Sequence, residues 1–187
     1  MKVLVLDNYD SFTYNIVHVL KNIDGIEVDI IRNDEIFLEG VNIYDKIILS
    51  PGPSLPKDAG HMNSLISNYY KSKPILGICL GHQAIAENFG ASLFNLKEPY
   101  HGIQTNILVD DDYLFSGIDH KIKACRYHSW SVSEKKFPND LMIIARDEND
   151  MIMGISHKKY DVRGIQFHPE SIQTNEGFKI IENFINK

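Results

Sequence analysis

Residues 74–83 read Pro74-Ile75-Leu76-Gly77-Ile78-Cys79-Leu80-Gly81-His82-Gln83. An apolar run, Ile75 to Ile78, stops at a cysteine that stands between two glycines, Gly77 and Gly81. Helix-compatible residues follow from Gln83 to Phe89, and Gly90 ends them. The pattern predicts a buried strand, a sharp turn bearing the cysteine, and a helix: a nucleophile elbow. Without side chains at positions 77 and 81, strand and helix can pass close to the turn. Cys79 then lies near a helix N-terminus, where free N–H groups and the macrodipole favour a thiolate. Taken alone, the stretch also fits a buried core cysteine.

Working outward, the first half alternates strand with helix. Val3–Leu6 and Lys46–Leu49 are short and apolar, as strands covered on both faces are, and Val28–Ile31 reads as a strand between them. Ile16, Val19, Leu20 and Ile23 recur at helical spacing after a start that Asp10 or Ser11 can cap. Residues 57–71 predict a second helix, with Met62, Leu65, Ile66, Tyr69 and Tyr70 on its buried face. The second half predicts short strands over 91–96, 103–109, 130–133, 141–146, 151–157 and 163–167, divided by turns such as Asn149-Asp150. A closing helix over 175–185 starts at Thr174 or Asn175 and is apolar at Phe178, Ile181, Phe184 and Ile185. The expected architecture is α/β: a three-layer, mainly parallel open sheet with helices on both faces and added antiparallel strands. One domain is expected over residues 1–187.

Composition narrows the function classes. With 187 residues, 43% of them hydrophobic, the chain can bury one sizeable core. A net charge of −6 argues against general nucleic-acid binding and against an anionic membrane surface. The apolar start, Val3 to Leu6, is too short for a signal peptide, and no run approaches a membrane span. The two cysteines, Cys79 and Cys125, make no disulfide framework, so a cytoplasmic protein with reduced thiols is expected. The eight histidines show no metal-ligand spacing, and neither a metal nor a cofactor is expected.

Ligands of open α/β sheets bind beyond the carboxyl ends of the strands. Three loops fall there: Pro51-Gly52-Pro53-Ser54, the Cys79 turn, and His168-Pro169-Glu170. Pro169 biases His168 towards extended backbone, where residues two apart project the same way. His168 and Glu170 can therefore share one space, with the carboxylate fixing the tautomer and the other ring nitrogen taking the thiol proton. Attack on an amide also needs two N–H donors for the oxyanion; Leu80 and Gly52 are the candidates.

Together these residues resemble the class I, triad-type glutamine amidotransferases, and the resemblance covers essentially the whole chain. It is carried by Gly77-Ile78-Cys79-Leu80-Gly81-His82-Gln83 and Gln166-Phe167-His168-Pro169-Glu170-Ser171. It implies a flavodoxin-like fold and hydrolysis of L-glutamine through a γ-glutamyl thioester on Cys79. His168 would act as base and acid, Glu170 would orient it, and Gly52 and Leu80 would form the oxyanion hole. Gln83 and the backbone around Ser129-Trp130 would hold glutamine. The opening Asp7-Asn8-Tyr9-Asp10-Ser11-Phe12-Thr13-Tyr14-Asn15, with Tyr127-His128-Ser129, is similar to the amidotransferase subunits of anthranilate synthase and aminodeoxychorismate synthase. These imply ammonia transfer to a separate, larger chorismate-binding subunit. By resemblance, the combination of His101-Gly102-Ile103-Gln104-Thr105, Arg126-Tyr127-His128-Ser129-Trp130 and Tyr160-Asp161-Val162-Arg163-Gly164 leans towards the tryptophan branch. A non-catalytic regulatory subunit on the same fold is the alternative of another class.

Two positions depart from the family pattern. Ser54 replaces a second glycine in the oxyanion loop and would be strained if φ there is positive. Trp130 replaces a leucine, at a place where the family contact is through backbone. Cys125 is expected to be a buried bystander and His82 a packing residue. Tyr9, Phe12 and Tyr14 suit either the core or a docking face.

Overall fold

The computed structural model describes residues 1–187. In chain order it runs β1 (Lys2–Asp7), α1 (Thr13–Lys21), β2 (Glu27–Arg32), β3 (Lys46–Leu49), α2 (Met62–Tyr69), β4 (Ile75–Ile78) and α3 (Leu80–Asn88). There follow β5 (Leu93–Asn95), β6 (Ile103–Val109), β7 (Lys121–Arg126), β8 (Trp130–Val132), β9 (Leu141–Asp147), β10 (Ile152–His157), β11 (Val162–Ile165) and α4 (Gly177–Asn186).

Nine strands form one sheet in the order β2-β1-β3-β4-β11-β10-β9-β6-β7, and β5 pairs with β8 in a two-stranded ribbon. From β2 to β11 every pairing is parallel, which is the flavodoxin-like order with β11 as the fifth strand. From β11 to β7 every pairing is antiparallel. The expected mainly parallel half with antiparallel additions is therefore present. One added strand, β7, lies outside the strands expected from the sequence, although Lys121 to Ala124 alternate polar and apolar.

Strand alternation divides the core between two layers. Val3, Val5, Ile48, Leu76 and Ile78 face α1 and α4, where Ile16, Leu20, Ile181 and Phe184 meet them. Leu4, Leu6, Ile47, Leu49 and Ile75 face α2 and α3, against Met62, Leu65, Leu80 and Ile85.

Three local expectations need correcting. The second helix is only Met62–Tyr69, because Pro56–Asp58 forms a separate 3-10 turn and Gly60 takes φ +50° before the helix can start. Neither α1 nor α4 has a side-chain N-cap; they start after Phe12 and Glu176. Phe178 is half exposed, and Gly177 lies on the buried face of α4 instead. No helix is long and apolar enough to cross a membrane.

Candidate active site

Cys79 adopts φ 53° and ψ −98°, a conformation that residues with a side chain avoid. Such backbone costs about 1–3 kcal/mol and persists only where its surroundings dictate it. Here the Cys79 N–H donates to Ile165 O at 2.8 Å, and its carbonyl accepts from Gln83 N at 3.1 Å. β4 and α3 are thereby held to one sharp turn. The flanking glycines serve close approach: a Cβ on Gly77 would lie 2.4 Å from the Gly81 carbonyl, and one on Gly81 2.6 Å from Leu49 O. The helix starts at Leu80, directly after the cysteine, earlier than the sequence pattern places it.

His168 and Glu170 follow β11, the parallel neighbour of β4. The His168 N–H donates to Cys125 O at 3.0 Å, and its carbonyl accepts from Thr174 Oγ1 at 2.6 Å. Nδ1 stands 2.6 Å from Glu170 Oε1, in a pair withdrawn from solvent. Phe12 and Tyr127 pack edgewise around the ring, with centroids 5.3 and 5.1 Å away. Phe12 thus belongs to the site, whereas Tyr9 and Tyr14 are exposed. Burial opposes charge on His168, but its interactions with Cys79 and Glu170 outweigh that and hold its pKa well above that of free imidazole.

Beyond Cys79 opens a cavity of about 190 Å³, lined by Gly52, Pro53, Ser54, Leu80, Gln83, Tyr127, His128, Ser129 and Trp130. It is smaller than the roughly 300 Å³ at which drug-sized sites begin, and so suits a compact ligand. Six of the eight expected site residues, Cys79, Gly52, Leu80, Gln83, Ser129 and Trp130, line it together. His168 and Glu170 do not line it; they reach it through Cys79. A hollow of about 530 Å³ at residues 109–120 holds none of these groups.

Gly52 and Leu80 are packed against each other: a Cβ on Gly52 would lie 2.6 Å from Leu80 Cδ2 and from Asn8 Cβ. Leu80 is the first residue of α3, so its N–H has no intrahelical acceptor. Ser54 takes φ 64°, so the strain made conditional on a left-handed backbone is present.

Gln83 Nε2 donates to Trp130 O at 2.9 Å, so the contact of position 130 with Gln83 is through its backbone. The Ser129 carbonyl is already engaged by Leu96 N and Asn95 Nδ2. The Gln83 amide oxygen has no partner within the chain and is open to a ligand.

Sequence reasoning missed Gln166, whose Nε2 lies 3.6 Å from Cys79 Sγ, and the buried Arg126, which pairs with Asp147 at 2.7 Å. Gln166 stood inside the signature around His168 but carried no pattern of its own. Cys125 is buried as expected, but its backbone anchors His168. His82 is wholly buried and packs on Gly164, and burial pushes its pKa down to about 4.

A parallel sheet that presents a strained cysteine at a strand–helix turn makes this an α/β protein of the nucleophile-elbow type. Residues 4–187 match the class-I glutamine amidotransferase family, and the chain belongs to it. It is 42% identical, over 98% of its length, to anthranilate synthase component 2 of Saccharolobus solfataricus, of which it spans 97%. Aminodeoxychorismate synthase component 2 of Klebsiella aerogenes is 38% identical, with 99% and 100% of the two chains covered. The chain is also 41% identical to the bifunctional protein TrpGD of Thermotoga maritima, but spans only 32% of that longer protein. A GMP synthase subunit from Thermoplasma acidophilum has the same fold, with a TM-score of 0.89, 30% identity, and 100% and 92% of the chains covered.

Proposed function

We propose that residues 1–187 act as one amidotransferase domain, using Cys79, His168 and Glu170 to hydrolyse L-glutamine and deliver ammonia to a chorismate-using synthase subunit. One observation supports this above the others. The strained Cys79 and the buried His168–Glu170 pair leave adjacent parallel strands beside a cavity of amino-acid size.

In this reading the Cys79 thiolate adds to the side-chain amide carbon of glutamine, and the oxyanion takes hydrogen bonds from the Gly52 and Leu80 N–H groups. His168, already protonated by the thiol, gives that proton to the departing nitrogen as the C–N bond breaks. Ammonia leaves, and a γ-glutamyl thioester remains. His168 then takes a proton from water, which attacks the thioester; the C–S bond breaks and glutamate is released. Glu170 keeps Nδ1 protonated, so that Nε2 does the exchanging. The Gln83 amide oxygen and the Ser129-Trp130 backbone hold the substrate.

The recipient in this reading is component I of anthranilate synthase, to which the His101–Thr105 and Tyr160–Gly164 stretches lean. The relative named for aminodeoxychorismate synthase keeps that partner as the second reading. Ammonia release from glutamine, measured with and without each component I, tests both. Activity retained by Cys79→Ser would sink the mechanism, since loss of a covalent nucleophile costs many orders of magnitude in rate. Rescue of p-aminobenzoate but not tryptophan auxotrophy would reverse the choice of partner.

A further inference from the structure

Gln166 is entirely buried, and its side chain spans the space between two residues of the site. Its Oε1 accepts from Gln83 Nε2 at 3.0 Å, and its Nε2 lies 3.6 Å from Cys79 Sγ, within reach of an N–H to sulfur hydrogen bond. Which end of an amide is nitrogen follows from its partners. Here the Trp130 carbonyl decides it through two amides, Gln83 and Gln166, while the links behind that carbonyl each have one direction of their own.

At the far end of the chain, Asp147 accepts from Arg126 Nη1 at 2.7 Å. Arginine only donates, so Arg126 Nε, 3.1 Å from His128 Nε2, makes that nitrogen an acceptor. The proton of His128 must then sit on Nδ1, which donates to Trp130 O at 2.8 Å. Burial and the Arg126 charge push the His128 pKa down to about 3, so the ring does not gain a second proton near neutrality. Trp130 O can only accept, so the Gln83 atom 2.9 Å from it is the NH2 group. That same NH2 group has one hydrogen left, which points to Gln166 Oε1. The Gln166 NH2 group therefore faces the sulfur. Every link has one permitted direction, and the directions agree from end to end.

We infer that Gln166 is a hydrogen-bond donor to the nucleophile, its amide turned towards Cys79 Sγ by Gln83, which the Trp130 carbonyl orients in turn. The inference rests on Cys79 being the nucleophile. A donor aimed at sulfur favours thiolate over thiol, because only the anion accepts strongly. It also ties the sulfur to Gln83, which lines the cavity, so an amide engaged by Gln83 and the attacking atom share one rigid support.

The test reads thiolate directly and does not require turnover. Cys79 is alkylated with iodoacetamide, where sulfur displaces iodide, and the rate is followed by peptide mapping from pH 5 to 10. Gln166→Met keeps the volume and removes the donor. Gln166→Glu keeps the acceptor for Gln83 and turns a negative group towards sulfur. Both should slow alkylation about tenfold at pH 6 and converge with the parent rate at alkaline pH, Glu more strongly than Met. Thermal melts verify folding, and either folded variant suffices. Unchanged alkylation in a folded Gln166 variant, with alkylation lost in His168→Ala, overturns the inference and leaves the nucleophile assignment standing. Failure of Cys79 to alkylate in the parent protein overturns both.

Discussion

His168 Nδ1 and Glu170 Oε1 stand 2.6 Å apart, and neither side chain reaches solvent. The contact fixes one tautomer, so its loss is chemical before it is structural. Glu170→Gln preserves shape but offers an amide NH2 that can donate to Nδ1, leaving the proton on Nε2, the wrong side. Glutamine hydrolysis should fall by about 10²–10⁴-fold in kcat with little change in KM, measured as ammonia release at saturating glutamine. A loss confined to KM would show that Glu170 binds substrate instead.

Ser54 lies exposed at φ 64° in the loop that carries Gly52. A left-handed residue with a Cβ costs about 1–2 kcal/mol, and glycine returns roughly 0.5–1 kcal/mol of that as chain entropy. Ser54→Gly should therefore raise the unfolding free energy by about 0.5 kcal/mol, read from the urea midpoint. Ser54→Val should lower it. Equal midpoints for the three proteins would refute the strain.

His82 and His128 are both held neutral, with pKa values pushed from 6.5 down to about 4 and about 3 by burial. Above pH 6.5 neither binds a proton in the folded or the unfolded state, so these two rings leave stability level. Below it the unfolded chain takes up protons that the folded chain refuses, and stability falls by about 1.4 kcal/mol per pH unit for each ring. The loss runs from pH 6.5 to about 4 for His82 and to about 3 for His128. His168 has a raised pKa and adds nothing to this limb, since it is protonated in both states there. Urea titrations at pH 7 and 4.5 should differ less in His82→Met than in the parent, by roughly 2–3 kcal/mol.

At Gly177 a Cβ would lie 1.8 Å from the Pro169 carbonyl oxygen. Backbone blocks the space, so Gly177→Ala must displace α4 or the His168-Pro169-Glu170 loop. A shift near 1 Å in a catalytic group costs up to about 10²-fold. At least a tenfold drop in kcat is expected, together with a lower urea midpoint. Phe178→Ala, one residue further on and half exposed, should change neither. Parent-like kcat in Gly177→Ala would mean that the helix yields and the loop does not.

The parallel half of the fold was legible because its inner strands are short apolar runs, and β3 and β4 start and stop where Lys46, Leu49, Ile75 and Ile78 say. β7 was not, because Lys121 and Lys123 point outward and the strand's inner residues include Arg126, whose burial depends on Asp147 from a distant strand. The start of α4 was misjudged for a similar reason: Phe178 looks like a core residue until Pro169 is seen to require Gly177 on the inner face. At the proposed site, the elbow, the His168–Glu170 pair and the two amides proposed for the oxyanion follow local spacing rules. Gln166 and the chain back to Arg126 obey no spacing, since each link joins residues brought together only by the finished sheet.

β4 and β11 are neighbours in the sheet, yet Cys79 and Gln166 are 87 positions apart in sequence. The order in which contacts can form is therefore constrained. A chain emerging from its N-terminus carries the thiol long before the base, and between them it must complete the antiparallel half. Parallel neighbours this distant close late in folding, because loop entropy is lost before their contacts form. Cys79 and Gln166 therefore come together only when β11 docks beside β4, so any thiol chemistry that needs both waits on that long-range pairing.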